Sequence, residues 1–261
     1  MILASLLVVG SSFAEGTAQV KLRAVVQPTV HPRPQVADFE ESGSGKHLNV
    51  ERANATQVVS TPAAPENSCD DLSVLVDRSH PLPPDYTPED LVSLSEYRVP
   101  TLGGAEMLLR REAAGHLRRM VKDAAADGEE LVVASAYRSY AHQGQSYARL
   151  TSIYGTEAGE MSARSGHSQH QLGTAVDFTN AAAGYEIWDY FGDTSAYSWL
   201  KDHAREYGFV LAYLQSKEAE TGYQWEPWHY RYVGTKNAER LEESGLSLQE
   251  FLAREGVLPR C

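Results

Sequence analysis

The chain has little cysteine: Cys69 and Cys261 are its only two. That is too few for a disulfide-stapled mini-protein or a four-cysteine zinc site. Positive charge is also scarce. Its 23 Lys and Arg face 35 Asp and Glu, a formal net charge of −12. This balance argues against a nucleic-acid binder, which needs a basic footprint. It argues equally against attachment to anionic lipid by charge alone. No apolar run approaches the ~20 residues of a membrane-spanning helix, so no integral span is expected. No internal repeat is visible. What the chain does have is core material: 42% hydrophobic residues, with 14 Tyr, 6 Phe and 4 Trp. The length of 261 residues suits one domain with a tail, or two small domains.

The first ten residues, Met1-Ile-Leu-Ala-Ser-Leu-Leu-Val-Val-Gly10, read as the apolar core of a secretory signal. Ser12-Phe13-Ala14 resembles a small-residue cleavage site, although the first Lys is Lys21 and no basic segment precedes the apolar run. The competing reading is a short buried strand. We expect residues 1–14 to be a signal peptide or its remnant, and the protein to work outside the cytoplasm. Residues 15–68 hold Pro28, Pro32, Pro34, Pro62, Pro65 and the run Ser42-Gly-Ser-Gly45, with no sustained period of 2 or 3.6. They read as a disordered linker. The folded domain is expected over residues 69–261, bracketed by the two cysteines. In an exported protein such a pair suggests a disulfide; two free thiols are the alternative.

From Asp70 onward the pattern alternates between helix and strand signals. Residues 81–92 read as an extended entry segment with a capped turn. Apolar residues at helical spacing predict a long helix over 104–127, stopped by Gly128. Leu131–Tyr137, Ala175–Phe178, Phe209–Tyr213 and Tyr230–Val233 read as strands. Helices are predicted over 140–154, 195–207, 236–244 and 247–255. The mixed order, without a regular βαβ series, indicates an α+β fold.

Two segments crowd chemistry-bearing residues among Gly, Pro and Trp. One is Ser165-Gly-His-Ser-Gln-His-Gln-Leu-Gly-Thr-Ala-Val-Asp177; the other is Trp225-Glu-Pro-Trp-His-Tyr-Arg-Tyr232. A catalytic zinc takes three His or carboxylate ligands and leaves a position for water. His170 and Asp177 could converge through a turn at Gly173, with His229 as third ligand. Glu226 precedes His229 by three residues, and on a regular strand the two would face opposite sides. Pro227 makes an irregular backbone plausible and a helix implausible. Glu226 would then be free as general base. The residues alone leave open whether this is a metal site or a set of solvated side chains, and His167 rivals His170. His31 and His47 fall in the linker. His80, His116, His142 and His203 read as surface or packing residues.

Taken together, these motifs resemble the zinc D-alanyl-D-alanine carboxypeptidases of the VanY type and the related L,D-carboxypeptidases of peptidoglycan. The resemblance rests on Ser168–Asp177, on Glu226–Gly234, on Ser135-Ala-Tyr-Arg-Ser-Tyr140 followed by Gln143, and on the opening Pro81–Tyr86 with Asp90–Val92. It covers about residues 72–256. It implies a small antiparallel sheet flanked by helices, as in hedgehog-type domains, and one Zn²⁺ held by His170, Asp177 and His229. Glu226 would be the catalytic base. Arg138 would steady the oxyanion or hold the substrate's terminal carboxylate. Gln143 and Ser168 would bind the substrate's C-terminal end, with a helix Gln and a turn-capping Ser as the plain alternatives. Tyr137, Trp225 and Trp228 would line the pocket or belong to the core. The implied reaction is removal of the C-terminal D-alanine from peptidoglycan stem peptides, by a monomer. A peptidoglycan endopeptidase, a non-catalytic zinc-containing wall-binding module and an anchored scaffold are the competing readings.

Overall fold

The computed structural model describes residues 68–261. The expected signal over 1–14 and all but the last residue of the expected linker lie outside the described residues. Two small strands come first. β1 (Leu91–Ser93) pairs antiparallel with β2 (Leu108–Arg110), Val92 opposite Leu109. Helix α1 (Arg111–Ala126) follows directly. The helix predicted from residue 104 therefore begins seven residues later. Leu108–Arg110 are drawn into strand pairing, and Arg110 itself is extended. Tertiary pairing overrides helical periodicity here.

The main sheet has four strands in the order β3-β4-β6-β5, all antiparallel. They are β3 (Val132–Ser135), β4 (Ala175–Thr179), β5 (Phe209–Leu211) and β6 (His229–Tyr232). Between them run α2 (Tyr140–Tyr154), α3 (Ala158–Met161), α4 (Ser195–His203) and α5 (Glu218–Thr221). Helix α4 stops at His203, and the rest of the expected helix, 204–207, is a 3₁₀ turn ended by Gly208 in the left-handed region. Helices α6 (Thr235–Ser244) and α7 (Leu248–Glu255) close the chain, α7 opened by a capping box between Ser247 and Glu250.

Side-chain alternation decides what each sheet face carries. Val176, Phe178, Tyr230 and Tyr232 join one apolar cluster with the buried stripe of α1: Ala113, Ala114, Leu117, Met120, Val121 and Ala124. The intervening residues, Asp177 of β4 and His229 and Arg231 of β6, fall on the opposite face. Register places Asp177 directly opposite His229. A second cluster joins Val210, Ala212 and Val233 to Leu248, Phe251 and Leu252 at the α6–α7 end.

A third cluster contains Cys69, Val74, Val76, Leu82, Tyr86 and Leu172. Cys69 and Cys261 are disulfide-bonded, their Cα atoms 5.7 Å apart. Ser68 is buried and its amide donates to Arg260 O at 3.0 Å. The guanidinium of buried Arg231 donates to Leu72 O and Val74 O, at 3.1 and 2.7 Å. The entry segment is thus fastened to both the C-terminal segment and the sheet. Among the described residues, no helix is long and apolar enough to cross a membrane.

Candidate metal centre

A 3₁₀ turn, Gln169–Leu172, leads into β4. Gly173 ends it at φ 66°, and an added Cβ there would stand 2.8 Å from Leu91 Cδ2 and 3.0 Å from Arg110 Cγ. Only glycine suits both the dihedral and the space. This reversal brings His170 back over Asp177. On the other segment, the His229 amide donates to Glu226 O at 3.0 Å, closing a turn with Pro227 at its second position. The turn lets Glu226 converge with His229, although three residues separate them.

The result is one buried group. His170 Nε2 lies 3.2 Å from Asp177 Oδ2, and His229 Nδ1 lies 3.0 Å from Asp177 Oδ1. One donor atom from each of the three lies within 4.8 Å of the others. Glu226 Oε2 is 3.6 Å from His229 Nδ1. The two imidazoles meet edge to face, with centroids 4.9 Å apart.

Hydrogen bonds on the far sides of the rings set the tautomers. His170 Nδ1 donates to Ala136 O at 2.7 Å, so Nε2 carries the lone pair. His229 Nε2 donates to Gln169 Oε1 at 3.2 Å, so Nδ1 carries the lone pair. Burial, helped by the Arg138 charge, lowers His170 to about 4 and keeps it neutral near pH 7. Lone pairs on both rings then point at a carboxylate. Two imidazole nitrogens and a carboxylate aimed at one point are the donor set for a divalent cation of the zinc type, and the residues fit it. The fixed far-side bonds are the orienting partners that such ligands use. Glu226 is raised well above its ordinary value, by burial first and by the Asp177 charge second.

The group sits in a cleft of about 400 Å³. Arg138, Gln143 and Ser168 line the same cleft, as do Trp225 and Trp228. Arg138 reaches Asp177 Oδ2 at 3.4 Å and is steadied by Gln143 Oε1 at 2.9 Å and Ser135 Oγ at 3.1 Å. Gln143 is itself buried and donates to Ala163 O at 2.6 Å and Ser162 Oγ at 3.2 Å. Ser168 Oγ accepts from the His170 amide at 3.3 Å, so it also caps the turn.

Other sequence candidates separate from the group. His167 donates from Nδ1 to Asp77 O at 2.8 Å and is not part of the cluster. Tyr137 is absent from the cleft lining; its hydroxyl meets Thr87 Oγ1 at 3.2 Å. His80 meets Asp77, His116 meets Tyr207 O, and the His203 ring packs at a tilt against Trp199. Sequence reasoning missed Gln169 and Tyr213, whose ring centroid lies 5.0 Å from that of His229. Gln169 adjoins His170 in the chain, but nothing in the sequence says that it orients a different histidine. Burial, and then the Glu226 charge, raise the Tyr213 hydroxyl well above its ordinary value.

Comparison with known proteins gives a consistent answer. A family model described as VanY, D-alanyl-D-alanine carboxypeptidase, matches residues 106–235. A D-alanyl-D-alanine carboxypeptidase of Enterococcus faecalis is 31% identical over 252 residues, covering 90% of this chain and 84% of its own. The structure of the LdcB LD-carboxypeptidase aligns with a TM-score of 0.66 and 35% identity, over 71% of this chain and 87% of that one. A variant of the D,D-pentapeptidase VanY, solved in complex with Zn(II), aligns with a TM-score of 0.57 and 29% identity, over 69% and 98%.

Proposed function

Since the chain belongs to the VanY family of D-alanyl-D-alanine carboxypeptidases, we propose that it removes the C-terminal D-alanine from peptidoglycan stem peptides, with D,D- or L,D-specificity. The observation that carries this reading is the convergence of Glu226 on the His170–Asp177–His229 group inside a cleft that Arg138 and Gln143 also line. A closed structural zinc site has no use for a free buried carboxylate beside it.

In this reading His170 Nε2, an Asp177 oxygen and His229 Nδ1 hold one Zn²⁺. When bound, the ion supplies Lewis acidity and lowers the pKa of water toward ~7. Glu226 accepts the proton of the attacking water and passes it to the leaving amine nitrogen. Ionised Glu226 is disfavoured by burial and by Asp177 alone, and a cation in the same cluster reverses that balance. Arg138, beside Asp177, faces the developing oxyanion or the terminal carboxylate. Gln143 and Ser168 bind the substrate's C-terminal end. Gln143 is fixed for that role by its bonds to Ala163 and Ser162.

Residues 69–261 form the catalytic domain in this proposal, with 1–14 as export signal and 15–68 as spacer. The Cys69–Cys261 bridge supports work in an oxidising, extracytoplasmic compartment. The test is a mass-spectrometric digest of synthetic stem pentapeptide and tetrapeptide, with chelator and with zinc restored. Loss of one D-alanine, stopped by chelation and recovered with zinc, is the expected result, and the peptide trimmed assigns D,D or L,D. Zinc bound stoichiometrically without any cleavage overturns the reading in favour of a binding module.

A further inference from the structure

Exposed large apolar side chains are unevenly spread over this molecule. Among the described residues they are Ile153, Tyr154, Tyr185, Trp188, Tyr190 and Leu258. Tyr185, Trp188 and Tyr190 all fall in the segment that follows β4, the strand carrying Asp177. Trp188 is 43% exposed and also lines the cleft, together with Ile187 and Asp189. Isolated exposed apolar residues need no explanation, but three within six positions of the chain, one of them lining the cleft, point to a binding surface.

The segment is built rather than loose. Tyr185 sits at φ 60°, a conformation that costs a non-glycine residue energy and clusters at functional sites. Its amide donates to Asn180 O at 2.9 Å, and buried Asn180 Oδ1 accepts from the Ala183 amide at 2.8 Å. Thr179 Oγ1 donates to Glu186 O at 2.8 Å. The phenols are moored as well: Tyr185 to Glu130 Oε1 at 3.2 Å, and Tyr190 to Glu186 Oε2 at 2.9 Å. Both rings are thereby held and still exposed. The indole N–H of Trp188 has no hydrogen-bond partner among the described residues.

The chemistry of this ledge is aromatic faces bordered by the carboxylates of Glu130, Glu186 and Asp189. Such a border disfavours an anion. It suits a neutral polyol, whose C–H face packs on a ring while its hydroxyls donate to carboxylates. Topology gives the occupant. The Arg138 amide donates to His170 O at 3.2 Å, ahead of β4, whereas Trp188 lies past the other end of that strand. Arg138, the metal group and Trp188 line one cleft, so a peptide with its carboxylate at Arg138 and its scissile bond at the metal group has Trp188 as a wall for its remaining length. In peptidoglycan, what lies at the far end of the stem peptide is the N-acetylmuramyl sugar.

We propose that the Tyr185–Tyr190 ledge is a saccharide platform, on which the amino sugar bearing the stem peptide packs against Trp188 and Tyr190. The inference rests on the carboxypeptidase reading above and adds a preference within it.

The test compares zinc-loaded full-length protein on two substrates, the bare stem peptide and the same peptide amide-linked to N-acetylmuramic acid. D-alanine release gives kcat/KM for each. The expected wild-type preference for the sugar-bearing peptide is about tenfold, carried by KM. Trp188→Ala should bring the ratio near one, and Trp188→Tyr should keep most of it. Equal wild-type use of both substrates overturns the platform. So does an equal loss on both substrates in Trp188→Ala, which would make Trp188 a peptide wall. A wild-type preference abolished by acetylating the stem peptide's side-chain amine, with the sugar intact, would replace the polyol with an ammonium and also overturn it. If neither substrate is cut, the carboxypeptidase reading fails by itself. Calorimetric titration with the two compounds then decides the platform: tighter binding of the sugar form, lost in Trp188→Ala, supports it, and equal binding refutes it.

Discussion

Glu226 is the residue on which catalysis and binding part ways. Its carboxylate stands 3.6 Å from His229 yet outside the three-residue donor set. Glu226→Gln keeps shape and volume while removing the base. Turnover should fall by about 10²–10⁴-fold with zinc content unchanged, as read by peptide digest and metal analysis of one sample. Loss of the metal in that variant would make Glu226 a ligand instead. The same substitution has a pH signature in metal-free protein. Burial and the Asp177 charge raise Glu226 above its ordinary 4.5, so the folded state keeps a proton that the unfolded chain releases. This group's contribution to stability is complete below pH 4.5 and is lost as pH rises through the folded value. Metal-free Glu226→Gln should therefore melt above wild type at about pH 8, with the gap closing toward pH 4.5. A gap independent of pH would show that ionisation of this carboxyl is not what strains the wild type.

At the scale of elements, two turns make the site. The Gly173 turn returns His170 over β4, and the Glu226–His229 turn aims Glu226 into the cleft. Gly173→Ala should cost about 1–2 kcal/mol from the left-handed backbone alone. Contact with Leu91 and Arg110 adds to that, and zinc retention should weaken with it. Denaturant titration and a competitive chelator assay would measure the two effects. Much of this arrangement was legible beforehand. The Gly173 turn, the irregular backbone at Pro227, helix α2 and the strand positions all follow from local residue types. The start of α1 did not, because Met107 and Leu108 continue its helical spacing and only pairing with Leu91–Ser93 makes them extended. Local residue types also left His167 beside His170; the resemblance of Ser168–Asp177 to the family's motif chose His170, the one that joins the group. Gln169 was hidden because its partner His229 is 60 positions away.

For the whole molecule, the disulfide is the covalent link between the two ends of the described residues. It closes a sequence separation of 192 residues, and chain entropy allows at most about 5 kcal/mol for so long a loop. The double variant Cys69→Ser/Cys261→Ser should unfold at lower denaturant concentration than wild type. Its metal affinity should fall too, since the clasped entry segment packs under the turn bearing His170. Leu172 belongs to the same apolar cluster as Cys69, and Gln171 donates to Pro83 O and Tyr86 O at 2.9 and 3.2 Å. Unchanged affinity with lowered stability would confine the bridge to holding the ends.

That bridge also changes what kind of object the domain is. With its two cysteines joined, the backbone from Cys69 to Cys261 is a ring, and the six strands and seven α-helices of the described residues lie on it. Cutting a ring once opens it without shedding a piece. His170, Asp177 and His229 come from separate stretches of chain, so in a linear polymer a single break between them would put ligands on different fragments. Here a nick in any surface loop leaves them in one covalent molecule.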